Sequence, residues 1–301
     1  VLKGIDLAVA AGEVFAFLGP NGAGKTTTVE ILEGYRGRDG GAASVLGADP
    51  GAPTRAWRER IGIVLQSCEL EERFSVRETL RLVQPYYPHP LEVDEVIELV
   101  GLTEAADQRA GKLSGGQQRR LDVGMALIGD PDLLFLDEPT TGFDPAARRG
   151  TWSLIAGLKD LGKTVFLTTH YLEEAQALAD RVAIIRSGRL VAEGTPAELV
   201  GGDRRTEVRF SLPAGVSAAD LPGGLGTPRV DGHSVSVPVE RVVPALHALT
   251  AWALDQGHEL GDLAVDRPTL EDVYLELTAT AEEADAAPTE EPTARRGRRR
   301  R

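Results

Sequence analysis

One nine-residue stretch restricts this chain more than any other: Gly19-Pro20-Asn21-Gly22-Ala23-Gly24-Lys25-Thr26-Thr27. It follows a short apolar run, Glu13-Val-Phe-Ala-Phe-Leu18, and precedes Val29, Ile31 and Leu32, which are spaced as on a helix. Strand, glycine-rich turn, helix is the setting in which such a loop wraps a phosphate. Glycines let the backbone curl until its N–H groups point inward, and the helix N-terminus adds its positive dipole end. Lys25 reaches the β- and γ-phosphates, and the Thr26 hydroxyl suits Mg²⁺, a hard cation that prefers oxygen ligands. The chain has five lysines against 28 arginines, so composition alone does not explain a lysine here.

The rest of the pattern extends this unit into a sheet. Residues 1 to 18 read as strand, turn and strand, and further apolar strands are expected at Ile61 to Leu65, Leu133 to Leu136, Thr164 to Leu167 and Arg181 to Ile185. Helical patterns lie between most of them, which implies an α/β fold with a mostly parallel sheet covered on both faces. Residues 71 to 128 read as mainly helical, interrupted at Pro85, Pro88 and Pro90, and form a helical insertion.

After Gly201-Gly202 the texture changes. A strand at Thr206 to Leu212, a hairpin around Asp231-Gly232 and alternating Val235, Val237 and Val239 come first. A helix from about Arg241 to Gln256, a strand near Leu260 to Val265 and a helix opening at Thr269 with Asp272 as a partial capping box complete a small C-terminal α+β module. The expected divisions are residues 1–205, 206–278 and a flexible tail at 279–301. The tail ends in six arginines and one glycine, which suits either a solvated segment or contact with anionic lipid headgroups.

Composition narrows the function classes. A net charge of −13 argues against general nucleic-acid binding. The single cysteine, Cys68, permits no intrachain disulfide and reads as a small buried or half-buried thiol. No apolar run reaches the roughly 18 residues needed to span a bilayer, so any membrane role requires a partner.

Leu133-Leu-Phe-Leu-Asp137-Glu138 is a buried strand ending in two acids, and parallel sheets place ligands at the carboxyl ends of their strands. Beside the glycine-rich loop, Asp137 becomes the Mg²⁺ partner through water and Glu138 polarises the attacking water. Leu113-Ser114-Gly115-Gly116-Gln117 matches the signature sequence of ABC ATPases, and Asp137-Glu-Pro-Thr-Thr-Gly-Phe-Asp144 resembles their acidic motif and aspartate loop. Gln66 after one strand and His170 after Thr168-Thr169 extend the resemblance, so that the markers span residues 19 to 170 in the family's order.

The resemblance implies a P-loop NTPase fold whose cofactors are ATP and Mg²⁺. Two copies, in a homodimer or pseudo-dimer, pack head to tail. Ser114, Gly115 and Gly116, with Gln117 counted in the motif, then bind the γ-phosphate held by the other copy. Gln66 senses the metal and water while joining the sheet to the helical insertion, and His170 bonds the γ-phosphate and steadies Glu138.

Asp144-Pro-Ala-Ala-Arg-Arg and the ending Pro268-Thr-Leu-Glu-Asp-Val-Tyr-Leu-Glu-Leu-Thr278 look like the daunorubicin/doxorubicin-resistance type of exporter ATPase. That type works with an integral-membrane permease subunit, which places the chain peripherally on the cytoplasmic face of the cell membrane. Cargo is drug-like or lipid-like in that type. An importer engine, or a non-transport ABC ATPase acting on ribosomes, DNA or an assembly scaffold, is the alternative. The family stacks adenine on an aromatic residue from a strand upstream of the loop; no aromatic precedes Phe15, and that strand is expected to precede Val1.

Overall fold

The computed structural model describes residues 1–66, 70–201, 206–213, 215–223, 225–266 and 269–275. Cys68 and the tail at 279–301 lie outside them. In chain order, β1 (Val14–Leu18), α1 (Lys25–Leu32), α2 (Arg55–Arg58) and β2 (Ile61–Val64) come first. The helices α3 (Val76–Val83), α4 (Val93–Leu99) and α5 (Gly115–Leu127) then separate β2 from β3 (Leu133–Asp137). Next come α6 (Pro145–Asp160), β4 (Thr164–Thr169), α7 (Leu172–Leu178), β5 (Arg181–Arg186), β6 (Arg189–Gly194) and α8 (Pro196–Gly201). The last set is β7 (Thr206–Ser211), β8 (Arg229–Asp231), β9 (Ser234–Val239), α9 (Val242–Gln256) and β10 (Gly261–Asp266), before helical residues 270–275.

The first sheet runs β2-β3-β4-β1-β5-β6, with β2, β3, β4, β1 and β5 parallel and β6 antiparallel at the edge. Every residue of β1 is buried, and its alternation sorts the side chains into two layers. Val14, Ala16 and Leu18 join the core shared with α3, α4 and α5, whereas Phe15 and Phe17 join a second core on the opposite face. In that second core Phe166 of β4 is ringed by Phe15, Phe17 and Phe135, with centroids 5.5–5.7 Å apart. The helical insertion is therefore anchored through one face of the sheet.

Three expectations need correction. Residues 1–10 form no strand. Leu2, Ile5, Leu7 and Val9 do pack on the second core, but their backbone meets single partners and no ladder. Lys3 N–H donates to Gly188 C=O (2.8 Å), and the Arg181 guanidinium donates to Ala8 C=O (2.8 Å). Strand β6 was not anticipated: Ser187 (φ 48°) and Gly188 (φ 79°) turn the chain back on itself, as a two-residue hairpin with two left-handed positions does. The helix that opens at Thr269 does not simply complete the C-terminal module, because Leu270 is fully buried in the core shared by β1 and α5, with Tyr274 packed against it.

The second sheet, β10-β7-β9-β8, is antiparallel throughout. Val208 and Phe210 of β7 face Val235, Val237 and Val239 of β9, and Leu249 of α9 closes that face. The Asp231-Gly232 hairpin forms as expected, with Gly232 left-handed at φ 62°. Thr269 and Asp272 cap each other: Thr269 N–H donates to the Asp272 carboxylate (2.7 Å) and Asp272 N–H to the Thr269 hydroxyl (3.3 Å).

Candidate active site

The carboxyl ends of β2, β3, β4 and β1 stand side by side, and each releases a segment singled out in the sequence: Gln66 after β2, Asp137-Glu138 at the end of β3, His170 after β4 and Gly19 to Thr27 after β1. Adjacency in the sheet thus gathers residues up to 151 positions apart in sequence. The loop is shaped by what surrounds it. A side chain at Gly19 would put Cβ 2.5 Å from Ile185 C=O, and Gly24 caps α1 in a left-handed conformation at φ 113°. Behind the loop, Gly188 N–H donates to Ala23 C=O (2.9 Å), so the β5–β6 turn braces it. Pro20, Asn21, Gly22 and Thr26 are exposed, Thr27 is half-buried, and Ala23 and Lys25 are buried.

Lys25 lies folded onto its own loop, with Nζ donating to Gly19 C=O (2.7 Å) and to Pro20 C=O (3.4 Å). Burial depresses its pKa, opposed by the charges of Glu138 and Asp137. Nζ is 3.9 Å from Glu138 Oε1.

Glu138 is the hub. Its Oε2 accepts from Gln66 Nε2 (3.3 Å) and from the Thr141 hydroxyl (3.1 Å), and His170 Nδ1 lies 3.3 Å from the same oxygen. Three groups hold one oxygen while the other faces Lys25. The backbone is held as firmly: Glu138 has φ 45°, the left-handed region that a side chain rarely occupies, and its N–H donates to both the carbonyl and the hydroxyl of Thr168 (3.1 Å each). The Thr168 hydroxyl in turn donates to the Asp137 carboxylate.

Ser114 to Gln117 stand apart. The Ser114 hydroxyl accepts from Gln117 N–H (3.3 Å), and the Gln117 side chain accepts from Ser114 N–H (2.9 Å), a reciprocal cap on α5. Ser114 and Gly115 are exposed, Gly116 is half-buried, and among the described residues no hydrogen bond joins them to Lys25 or Glu138. Asp144, in the expected aspartate loop, caps α6 by accepting from Ala146 and Ala147 N–H (2.8 Å each).

Sequence reasoning missed four contributors. Thr168 binds both Asp137 and Glu138. Arg119, buried on α5, donates to backbone carbonyls beside Gln66 and on both sides of Glu138. Glu174 is fully buried and accepts from the Thr140 hydroxyl (2.9 Å) and Trp152 Nε1 (3.1 Å), tying the segment after Glu138 to α6 and α7; burial raises its pKa. Glu33, at the end of α1, is buried and its pKa rises to about 7, first through desolvation and then through Asp137 and Glu30. A charged residue at a buried helical position was the available signal for Arg119 and Glu174. Glu33 lines a groove of about 490 Å³ between β2 and α5, together with Tyr35, Leu65, Tyr87 and Asp122.

The donor set fits Mg²⁺, since Asp137, the Thr26 hydroxyl and the Gln66 amide all offer oxygen and a metal sharing its sphere with phosphates needs only one or two carboxylates. A phosphate loop after β1, an acid pair ending a strand two places away and a helical insertion between β2 and β3 together define an ATP-hydrolysing P-loop cassette. Comparison with known proteins agrees. Residues 2–141 match the model of the ABC transporter family, and residues 206–269 match the C-terminal domain of ABC transporter domain-containing protein-like chains. The chain is 40% identical to the daunorubicin resistance ATP-binding protein DrrA2 of Streptomyces coeruleorubidus over 92% of this chain and 90% of that one. It is 38% identical to the Nod factor export ATP-binding protein I of Rhizobium sp. (strain N33), over 92% of each.

Among solved structures, an ATP-binding cassette of an ABC transporter in its ADP conformation is similar with a TM-score of 0.59 and 26% identity, over 65% of this chain and 85% of that one. The chain belongs to the ATP-binding proteins of ABC transporters, and it is an ATPase.

Proposed function

We propose that the chain powers export of drug-like or lipid-like molecules through a separate integral-membrane permease, bound peripherally at the cytoplasmic face of the membrane. In this reading residues 1–205 are the nucleotide-binding domain with its helical part at 71–128, and residues 206–278 are an accessory domain whose last helix docks on the nucleotide-binding domain through Leu270. Two similar proteins are named for daunorubicin resistance and Nod factor export, which supports export. No helix among the described residues is long and apolar enough to cross a membrane, and in this reading a partner supplies the path for cargo. The groove between β2 and α5, with Tyr35 and Leu65 exposed at its lining, supports contact with that partner beside Gln66.

The observation that carries the chemistry is the two-sided holding of Glu138. With Oε2 held by Gln66, Thr141 and His170, Oε1 is the oxygen left to accept a proton from water. The water oxygen forms a bond to the γ-phosphorus, the bond to the ADP oxygen breaks, and the water proton passes to Glu138. Lys25 exchanges Gly19 and Pro20 carbonyls for phosphate oxygens when ATP enters. Bound Mg²⁺ would be held by Thr26 and Gln66, and by Asp137 through water, and would supply neutralisation of the phosphate charge. The exposed Ser114 and Gly115 and the half-buried Gly116 at the start of α5 offer a hydroxyl and bare N–H groups to the nucleotide of a second copy in a head-to-tail dimer.

Glu138→Gln keeps the shape and removes the proton acceptor. It is expected to bind ATP normally, to lower steady-state phosphate release by about 100-fold or more, and to accumulate a closed dimer visible by gel filtration. Normal turnover by this variant would remove the base assignment.

A further inference from the structure

Arg119 has no part in the scheme above, yet its placement ties the scheme together. It lies in the second turn of α5, five residues past the Ser114 cap, and is 6% exposed. Its guanidinium donates to three backbone carbonyls on two other segments: Nη1 to Leu65, Nη2 to Asp137 (2.8 Å) and Nε to Pro139 (3.2 Å). Asp122, one turn along α5, lies 3.9 Å from Nη1 and balances the buried charge.

The three acceptors are not arbitrary. Leu65 immediately precedes Gln66, and Asp137 and Pro139 are the residues on either side of Glu138. These carbonyls stand at or beyond the ends of β2 and β3, where the parallel ladder no longer supplies donors. Glu138 is held left-handed at φ 45°, a conformation that persists only where neighbours over-determine it. Arg119 bonds the peptide plane just before Glu138 and the one just after Pro139. A planar fork of five donors can meet several carbonyls in fixed directions, and a lysine ammonium at the same place cannot reproduce that pattern.

We infer that Arg119 is a positioning residue for hydrolysis: it sets the backbone of Glu138 and the approach of Gln66, and it locks both to the helix whose first turn carries Ser114, Gly115 and Gly116. Movement of α5 when its N-terminus meets a phosphate is thereby passed, within one chain, to the proton acceptor and to the residue beside it. The inference rests on the reading of Glu138 as proton acceptor, and the test separates the two.

The experiment uses the full chain as Arg119→Lys and Arg119→Gln, measuring affinity for a fluorescent ATP analogue, kcat, KM and thermal unfolding, with Glu138→Gln run alongside. Lysine keeps the charge and most of the stem, and glutamine keeps a donor without the charge. Both are expected to bind the analogue within about twofold of the parent and to keep KM, while kcat falls about 10- to 100-fold, the cost of misplacing a reacting group by a fraction of an ångström to an ångström. Unchanged kcat in both variants overturns the inference. So does a loss of kcat matched by an equal loss of ATP affinity and of folded protein, which a purely structural arginine would give. If Glu138→Gln hydrolyses normally, the proton acceptor has been misassigned; if it is inactive while both Arg119 variants turn over normally, only the positioning role fails.

Discussion

The two sheets of this molecule use the same apolar residue types to opposite ends. In the first, strands β1 and β4 are buried along their whole length, because helices cover both faces, and the polar chemistry is pushed out to the strand ends. In the second, β9 alternates half-buried and buried residues, one face closes under α9, and polar side chains are spread along the strands. Parallel strands converge their carboxyl ends on one edge, so functional residues from distant segments meet there. Antiparallel strands place successive ends on opposite edges and gather nothing comparable. Active-site density here follows strand direction more than residue composition.

That contrast can be tested by damaging each region separately. The largest effect belongs to the first: Lys25→Ala is expected to abolish ATP turnover, measured as phosphate release, since no other described cation lies in the loop. Retained turnover would detach the loop from the chemistry.

Next is Phe210→Ala, which empties the core between the second sheet and α9 and is expected to cost about 3 to 5 kcal/mol in that sheet. Denaturant titration followed separately by ATPase activity and by fluorescence, in a Trp57→Phe, Trp152→Phe background that leaves Trp252 as the single tryptophan, checks it. Activity should persist through the earlier fluorescence transition. Coincident loss of both signals would mean that the two sheets unfold as one unit.

A smaller effect sharpens the comparison within the first region. The Glu33 pKa, raised from 4.5 to about 7, means that the folded state holds its proton more tightly than the unfolded chain. Its contribution is fully present below about pH 4.5 and is lost as pH rises through about 7. Glu33→Gln removes the titrating group, so its stability relative to the parent should grow with pH, reaching about 2 to 4 kcal/mol at pH 8. Urea unfolding at pH 5 and pH 8 measures this; a difference independent of pH would show that Glu33 is not buried as described.

The legible and illegible parts of the sequence divide along the same physical line. The loop at 19–27 and the acids at 137 and 138 stood out by local spacing beside a strand end, whereas Gln66 and His170 stood out only through the family resemblance; the fold brings all of them to one edge of the sheet. The strand order could not be, since nothing in the runs at Ile61 or Leu133 states which neighbour each will take. Arg119 escaped notice because its worth comes from carbonyls 18 to 54 positions away. Glu33 escaped because an acid ending a helix looks solvated until β2 and α5 close over it. Leu2 to Val9 mimicked a strand, because alternation reports burial on one side and says nothing of a hydrogen-bonding partner.

The turn at Ser187-Gly188 has a consequence for interpreting inherited or selected variation. Gly188 lies 163 positions from Lys25 and in no recognised motif, yet a Cβ there would stand 2.1 Å from Val1 C=O while its own N–H supports Ala23. A side chain there must displace the N-terminal segment or shift the Gly188 backbone itself, and a shift of that backbone withdraws the N–H that supports the loop. A change that shifts the Gly188 backbone would present genetically as a lesion in the nucleotide loop, and a screen that weights variants by motif membership would score it as silent.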